Sequence, residues 1–145
     1  MRVISIVAED LVNKISAIAD LGEKVAMTLG GTESDPALTQ VPPPYAWIML
    51  TGSTTDSQDR ERWTRLRHNF NVALALPYGD GEEDFTYRQL SLIEEIGKAV
   101  TGTSVDALDQ EELWSFDGMT LTGFEPKKAF YSLSFSITTF YTQSM

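Results

Sequence analysis

The 145-residue chain contains no cysteine and one histidine. The first absence excludes disulfides, thiolate metal sites and cysteine nucleophiles, and the second excludes any centre that needs two imidazoles. Neither Gly-x-Ser-x-Gly nor Gly-x-x-x-x-Gly-Lys followed by Ser or Thr occurs, so the nucleophile elbow and the P-loop are both missing. Basic residues are scarce: 11 Lys and Arg face 21 Asp and Glu, for a formal charge of −10. A chain so acidic repels phosphate at long range, which argues against specific nucleic-acid binding while leaving room for an acidic surface past which DNA slides. Long apolar runs are also absent, and nothing approaches the roughly 20 residues of a membrane-spanning helix. The short apolar stretch at the N-terminus meets Glu9 and Asp10 before it reaches the length of a signal-peptide core. The expectation is a protein made and folded in the cytoplasm, with no membrane partner.

With 42% hydrophobic and 22% charged residues, the chain has enough apolar material for one substantial core, and residues 1–145 read as one domain. Ile4, Val7, Leu11, Ile15 and Ile18 recur at steps of three or four, which predicts an amphipathic helix with Gly22 as its stop. Val25, Met27 and Leu29 alternate with smaller residues as in a short strand. Gly30 to Pro44, with consecutive prolines at Pro42, Pro43 and Pro44, reads as a long extended loop, either a contact segment or an ordinary excursion. Tyr45 to Leu50 is apolar on both alternating faces and suits a strand covered on both sides, whereas the short polar residues of Thr51 to Asp59 predict a turn.

A long strand is expected over Arg60 to Leu76, with Phe70, Val72, Leu74 and Leu76 on one face and Trp63, Arg65, Arg67, Asn69, Asn71, Ala73 and Ala75 on the other. Thr86 and Gln89 have capping-box spacing ahead of Leu90, Ile93, Ile96 and Val100, predicting a second helix that stops near Gly102. Asp106 is placed to cap a third, short helix to about Trp114, carrying Leu108 and Leu113 inward. Met119 to Thr122 is a strand candidate. Ala129 to Tyr141 is another, with Tyr131, Leu133, Phe135 and Ile137 facing one way and Ser132, Ser134, Ser136 and Thr138 the other. Its pattern matches that of Phe70 to Leu76, so the two are expected to pair. The predicted fold class is α+β, a mainly antiparallel sheet with two main helices and one short helix packed on one face.

Chemistry-bearing clusters are few. His68 shares the Phe70 face and reads as a packed strand histidine. The acids Asp80, Glu82, Glu83 and Asp84 beside Gly79 and Gly81 lack EF-hand spacing and suit a solvated turn before a helix, with a Ca²⁺ or Mg²⁺ site as the competing reading. No catalytic, cofactor or metal residue is assigned. Arg60, Arg62, Arg65 and Arg67 form the one basic concentration. It is read either as a solvated face with local ion pairs or, for Trp63, Arg65 and Arg67, as an interface for acidic residues of a neighbouring copy.

The order of elements, with Tyr45-Ala-Trp-Ile-Met-Leu50 after a Pro-rich loop, then Trp63 to Leu76, a helix, and the closing strand Ala129 to Tyr141, resembles the tail-terminator (tail-completion) proteins of long-tailed bacteriophages. The resemblance implies a structural virion protein, not an enzyme: a homo-oligomeric ring, commonly of six copies, seated on the head-proximal end of the tail tube. Such a ring ends tube polymerisation and provides the joint to the head, so its partners are the tail tube protein and a head-completion or connector protein. Another neck component, or a monomeric ligand-binding or regulatory domain, is the alternative reading.

Overall fold

The computed structural model describes residues 3–28, 43–58, 63–77, 83–108, 112–125 and 128–142. They comprise helix α1 (Val3–Ser16), strands β1 (Val25–Thr28), β2 (Tyr45–Gln58) and β3 (Trp63–Pro77), helix α2 (Glu83–Val100), and strands β4 (Ser115–Glu125) and β5 (Lys128–Thr142). The strands form one five-stranded sheet in the order β1-β2-β3-β5-β4, with β1 parallel to β2 and every other pair antiparallel. The fold is therefore a mixed α and β architecture of a mostly antiparallel sheet and two helices.

β3 and β5 pair along their full lengths, as their matched patterns predict, with Phe70 opposite Phe135, Val72 opposite Leu133 and Asn71 opposite Ser134. Side chains alternate with a period of two, so a one-residue slip would turn all of these apolar groups over to the polar face; that penalty fixes the register. Val7, Leu11 and Ile15 of α1, Leu92, Ile96 and Val100 of α2, and Ile48, Phe70, Val72, Leu74, Leu133 and Phe135 of the sheet belong to one buried cluster. Val3 takes the inward place at the start of α1, while Ile4 is exposed. After Ser16 the chain turns through Gly22, whose φ of 50° is left-handed and whose N–H donates to the Ile18 carbonyl at 2.9 Å.

Four local expectations change. β2 does not break into a turn at Thr51 but continues to Gln58, because the short polar side chains bond across the sheet. The Thr51 hydroxyl donates to the Asn69 carbonyl at 3.0 Å, and register shifts between Leu50 and Gly52 and between Thr55 and Ser57 absorb the extra residues. α2 starts at Glu83, so Thr86 lies within the helix instead of capping it. β4 runs from Ser115 to Glu125, well beyond Met119 to Thr122, with two register shifts of its own and Gly118 at φ 137°.

The fourth change concerns the expected short helix after Asp106. In its described residues the chain makes a turn at Val105 to Leu108, and Ser104 then bridges Leu113. Trp114 and Thr103 fix this pairing: the Gly102 N–H donates to the Trp114 carbonyl and the Trp114 N–H to the Thr103 carbonyl, each at 2.9 Å. Backbone groups engaged in that pairing are not available for a helical ladder. Leu108 packs against the core as expected, but Leu113 is exposed and Trp114 is the buried residue, its ring edge-on to Phe70 at 5.6 Å. Residues 109–111 lie outside the described residues, as does nearly all of the predicted Gly30 to Pro44 loop.

Candidate interaction surface

Alternation along the strands gives the sheet two chemically different sides. One carries the residues of the main buried cluster. The other carries, on β3, Arg65, Arg67, Asn69, Asn71, Ala73 and Ala75, and on β5, Lys128, Phe130, Ser132, Ser134, Ser136, Thr138 and Phe140. The central strip of this second side is small and polar, and it is cross-linked between strands: the Ser132 hydroxyl donates to Asn71 Oδ1, and Arg67 Nη2 donates to the Ser136 hydroxyl at 2.9 Å.

Arg65 and Arg67, two of the three residues singled out for subunit contact, stand at one end of the strip. Arg67 Nη2 lies 3.3 Å from the Asp117 carboxylate, and Arg65 Nη2 lies 3.9 Å from Glu112 with its guanidinium 5.3 Å from the centre of the Phe140 ring. The side chains of Arg67 and Arg65 are 46% and 41% exposed. Water screens pairs of this kind, and exposed ion pairs contribute about 0–1 kcal/mol each. Local ion pairing is thus present at both arginines. Trp63, the third residue, opens β3 opposite Thr142 and is placed by its backbone alone.

The opposite end of the same side is aromatic. Tyr45, Trp47 and Ala75 are buried in a second, smaller cluster with Ala73 and Phe130 beside them. The Tyr45 and Trp47 rings are 4.9 Å apart, and Lys128 Nζ lies 5.2 Å from the Tyr45 ring centre while donating to the Tyr45 hydroxyl at 3.4 Å. The Trp47 Nε1–H is buried without a hydrogen-bond partner. An orphaned donor of this kind costs about 1–3 kcal/mol, which the burial of the indole surface outweighs.

His68 is fully buried on the other side of the sheet, its Nδ1 2.8 Å from the Ser53 hydroxyl and its Nε2 2.7 Å from the Thr139 hydroxyl. It thereby ties β2, β3 and β5 together, and burial lowers its pKa from the ordinary 6.5. This is the packed strand histidine read from its position in the sequence. A further polar network, with no signal in the sequence beyond the four-residue spacing of its first two members, joins α1 to the segment before β4. Asp10 Oδ2 accepts from Lys14 and, at 2.9 Å, from Trp114 Nε1, while Lys14 Nζ also donates to the Ser104 carbonyl at 2.7 Å. An open groove of about 420 Å³ runs beside it, lined by Ile6, Glu9, Asp10, Asn13, Lys14, Ala17, Asp106 and Ala107. Its central charges are engaged with one another and with backbone.

Among the described residues no three His, Asp or Glu side chains are grouped to hold a metal ion, and no helix is long and apolar enough to cross a membrane. The side chains of the acidic turn Asp80 to Asp84 lie outside that description. Neither the protein-family models nor the curated proteins yield a match to this chain.

Proposed function

We propose that this chain is a structural component of a long-tailed bacteriophage, a tail terminator that forms a homo-oligomeric ring, with six copies as the family expectation, at the head-proximal end of the tail tube. The ring occupies the free tube end, so no further tube subunit adds, and its other surface provides the joint to a head-completion or connector protein. The mechanism is a heterologous contact that closes by rotation instead of extending as a filament. It requires no reaction, cofactor or metal.

The observation that carries the reading is the second side of the sheet: a strip of hydroxyl and amide side chains ending in two half-exposed arginines. In this reading both helices pack on the opposite side, and the half-exposed arginine end of the polar side meets neighbouring molecules. Small side chains permit close approach, and arginine is a favoured interface anchor because its planar fork is preorganised for carboxylates. The net charge of −10 suits a ring through whose opening DNA passes without binding.

Electron micrographs of tails assembled with and without the protein test the proposal. Tubes of uncontrolled length in its absence are the expected result. Tails of normal length that fail to join heads would replace termination by the connector role, and tails unaffected in both respects would leave a monomeric ligand-binding or regulatory domain as the reading to pursue.

A further inference from the structure

Charge is unevenly divided among the described side chains. On the polar side of the sheet and its border, three cations (Arg65, Arg67 and Lys128) face two carboxylates (Glu112 and Asp117). The described side chains of the two helices and the turns next to them carry seven carboxylates against three lysines. Among the described side chains, the first group is therefore close to neutral with half-exposed guanidinium groups, and the second is acidic. Complementary surfaces on opposite sides of one molecule are what a head-to-tail assembly of identical copies requires, because each copy then offers a different surface to each neighbour.

Within the acidic group, α2 is distinguished by its apolar exposure. Tyr87 is 62% exposed and Leu90 39%, while Leu92, Ile93 and Ile96 turn inward to the core. At 3.6 residues per turn, Tyr87, Leu90 and Glu94 fall on one stripe of the helix, with Glu95 at its flank and Lys98 one turn further on. The two exposed carboxylates are complementary to the two arginines, and the small side chains beside the arginines leave room for an aromatic and a leucine to approach. The carboxylate partners of Arg65 and Arg67 among the described residues, Glu112 and Asp117, are themselves partly exposed and lie 3.9 and 3.3 Å from their arginines, pairs that contribute about 0–1 kcal/mol each.

We propose that the exposed stripe of α2, through Tyr87, Leu90, Glu94 and Glu95, docks on the polar side of the sheet of a second copy of this chain, where Arg65 and Arg67 receive the two glutamates. This rests on the reading of the chain as a self-assembling protein and adds which surface of the neighbour meets the arginines.

The test is a charge swap on the full chain, read by sedimentation velocity over a range of concentrations, alone and with purified tail tubes. Arg65→Glu with Arg67→Glu, and separately Glu94→Arg with Glu95→Arg, are each expected to weaken association at least tenfold, and Tyr87→Ala to weaken it without any change of charge. A mixture of the two charge-reversed proteins is expected to recover heterotypic association between them. Thermal unfolding of each variant, with Arg67→Lys as the charge-preserving control, separates lost contacts from lost folding. Association of both reversed variants at the wild-type level, or a mixture that fails to recover, overturns the α2 docking while the assembly reading stands. A wild-type chain that stays monomeric even beside tube ends overturns both.

Discussion

At the scale of single residues, the buried polar groups are where function and stability are most easily confused. His68 is the only histidine and lies in the middle of the chain, yet its imidazole is closed off between Ser53 and Thr139. Burial holds its pKa below the ordinary 6.5, so as the pH falls through that value the unfolded chain takes up its proton before the folded chain does. Its contribution to stability is complete above the unfolded pKa and declines as the pH falls below about 6.5. Thermal unfolding between pH 7.5 and 5.5 should show a melting temperature that drops on acidification in the wild type and drops less in His68→Gln. Equal slopes in the two proteins would mean that the imidazole does not set this dependence. The histidine's place was legible in the sequence, because His68 shares the parity of Phe70. Its two hydroxyl partners were not, since Ser53 fell in a stretch whose composition favours turns and Thr139 is 71 residues away. Arg65 and Arg67 were legible as a basic cluster on one face, but their partners Glu112 and Asp117 come from another part of the chain and required the fold.

At the scale of elements, alternation and helical periodicity carried most of the information, and long-range pairing supplied the corrections. β3 and β5 share a simple pattern of apolar and small polar residues, and they pair along their full lengths. β2 runs on past Leu50 against its local signal: Thr, Gly and Ser compete for local hydrogen bonds in an isolated chain, whereas here the neighbouring strand supplies those bonds. Trp114 illustrates the same limit. Its position after Leu113 suggested a helix end, but its backbone pairs with Thr103 and its indole with Asp10, contacts that no local pattern encodes. The two-sidedness of β5 gives a direct test. Leu133→Ala removes a fully buried side chain and should lower stability by about 2–5 kcal/mol. Ser134→Ala, one residue away on the polar side, should change it by no more than about 0.5 kcal/mol. Chemical denaturation of the two variants measures both, and a Ser134→Ala loss as large as that of Leu133→Ala would show that the polar side is part of the fold's own packing.

At the scale of the whole molecule, the division between an apolar interior and charged outer surfaces separates the forces that hold the chain together from those proposed to join copies of it. The core of Phe70, Leu74, Leu133 and Phe135 depends on apolar burial, which added sodium chloride does not screen. Contacts between Arg65 or Arg67 and a neighbour's carboxylates are electrostatic and start from half-exposed groups. The Debye length falls from about 8 Å at 0.15 M salt to about 3 Å at 1 M, so attraction between such surfaces is largely lost at the higher concentration. Raising sodium chloride from 0.05 to 1 M should therefore shift the assembly towards monomer in sedimentation velocity while the melting temperature of the isolated chain stays nearly constant. An assembly that strengthens with salt would assign the contact to exposed apolar residues instead, with Met119 and Leu121 of the edge strand β4 as the first positions to substitute, because both side chains are exposed.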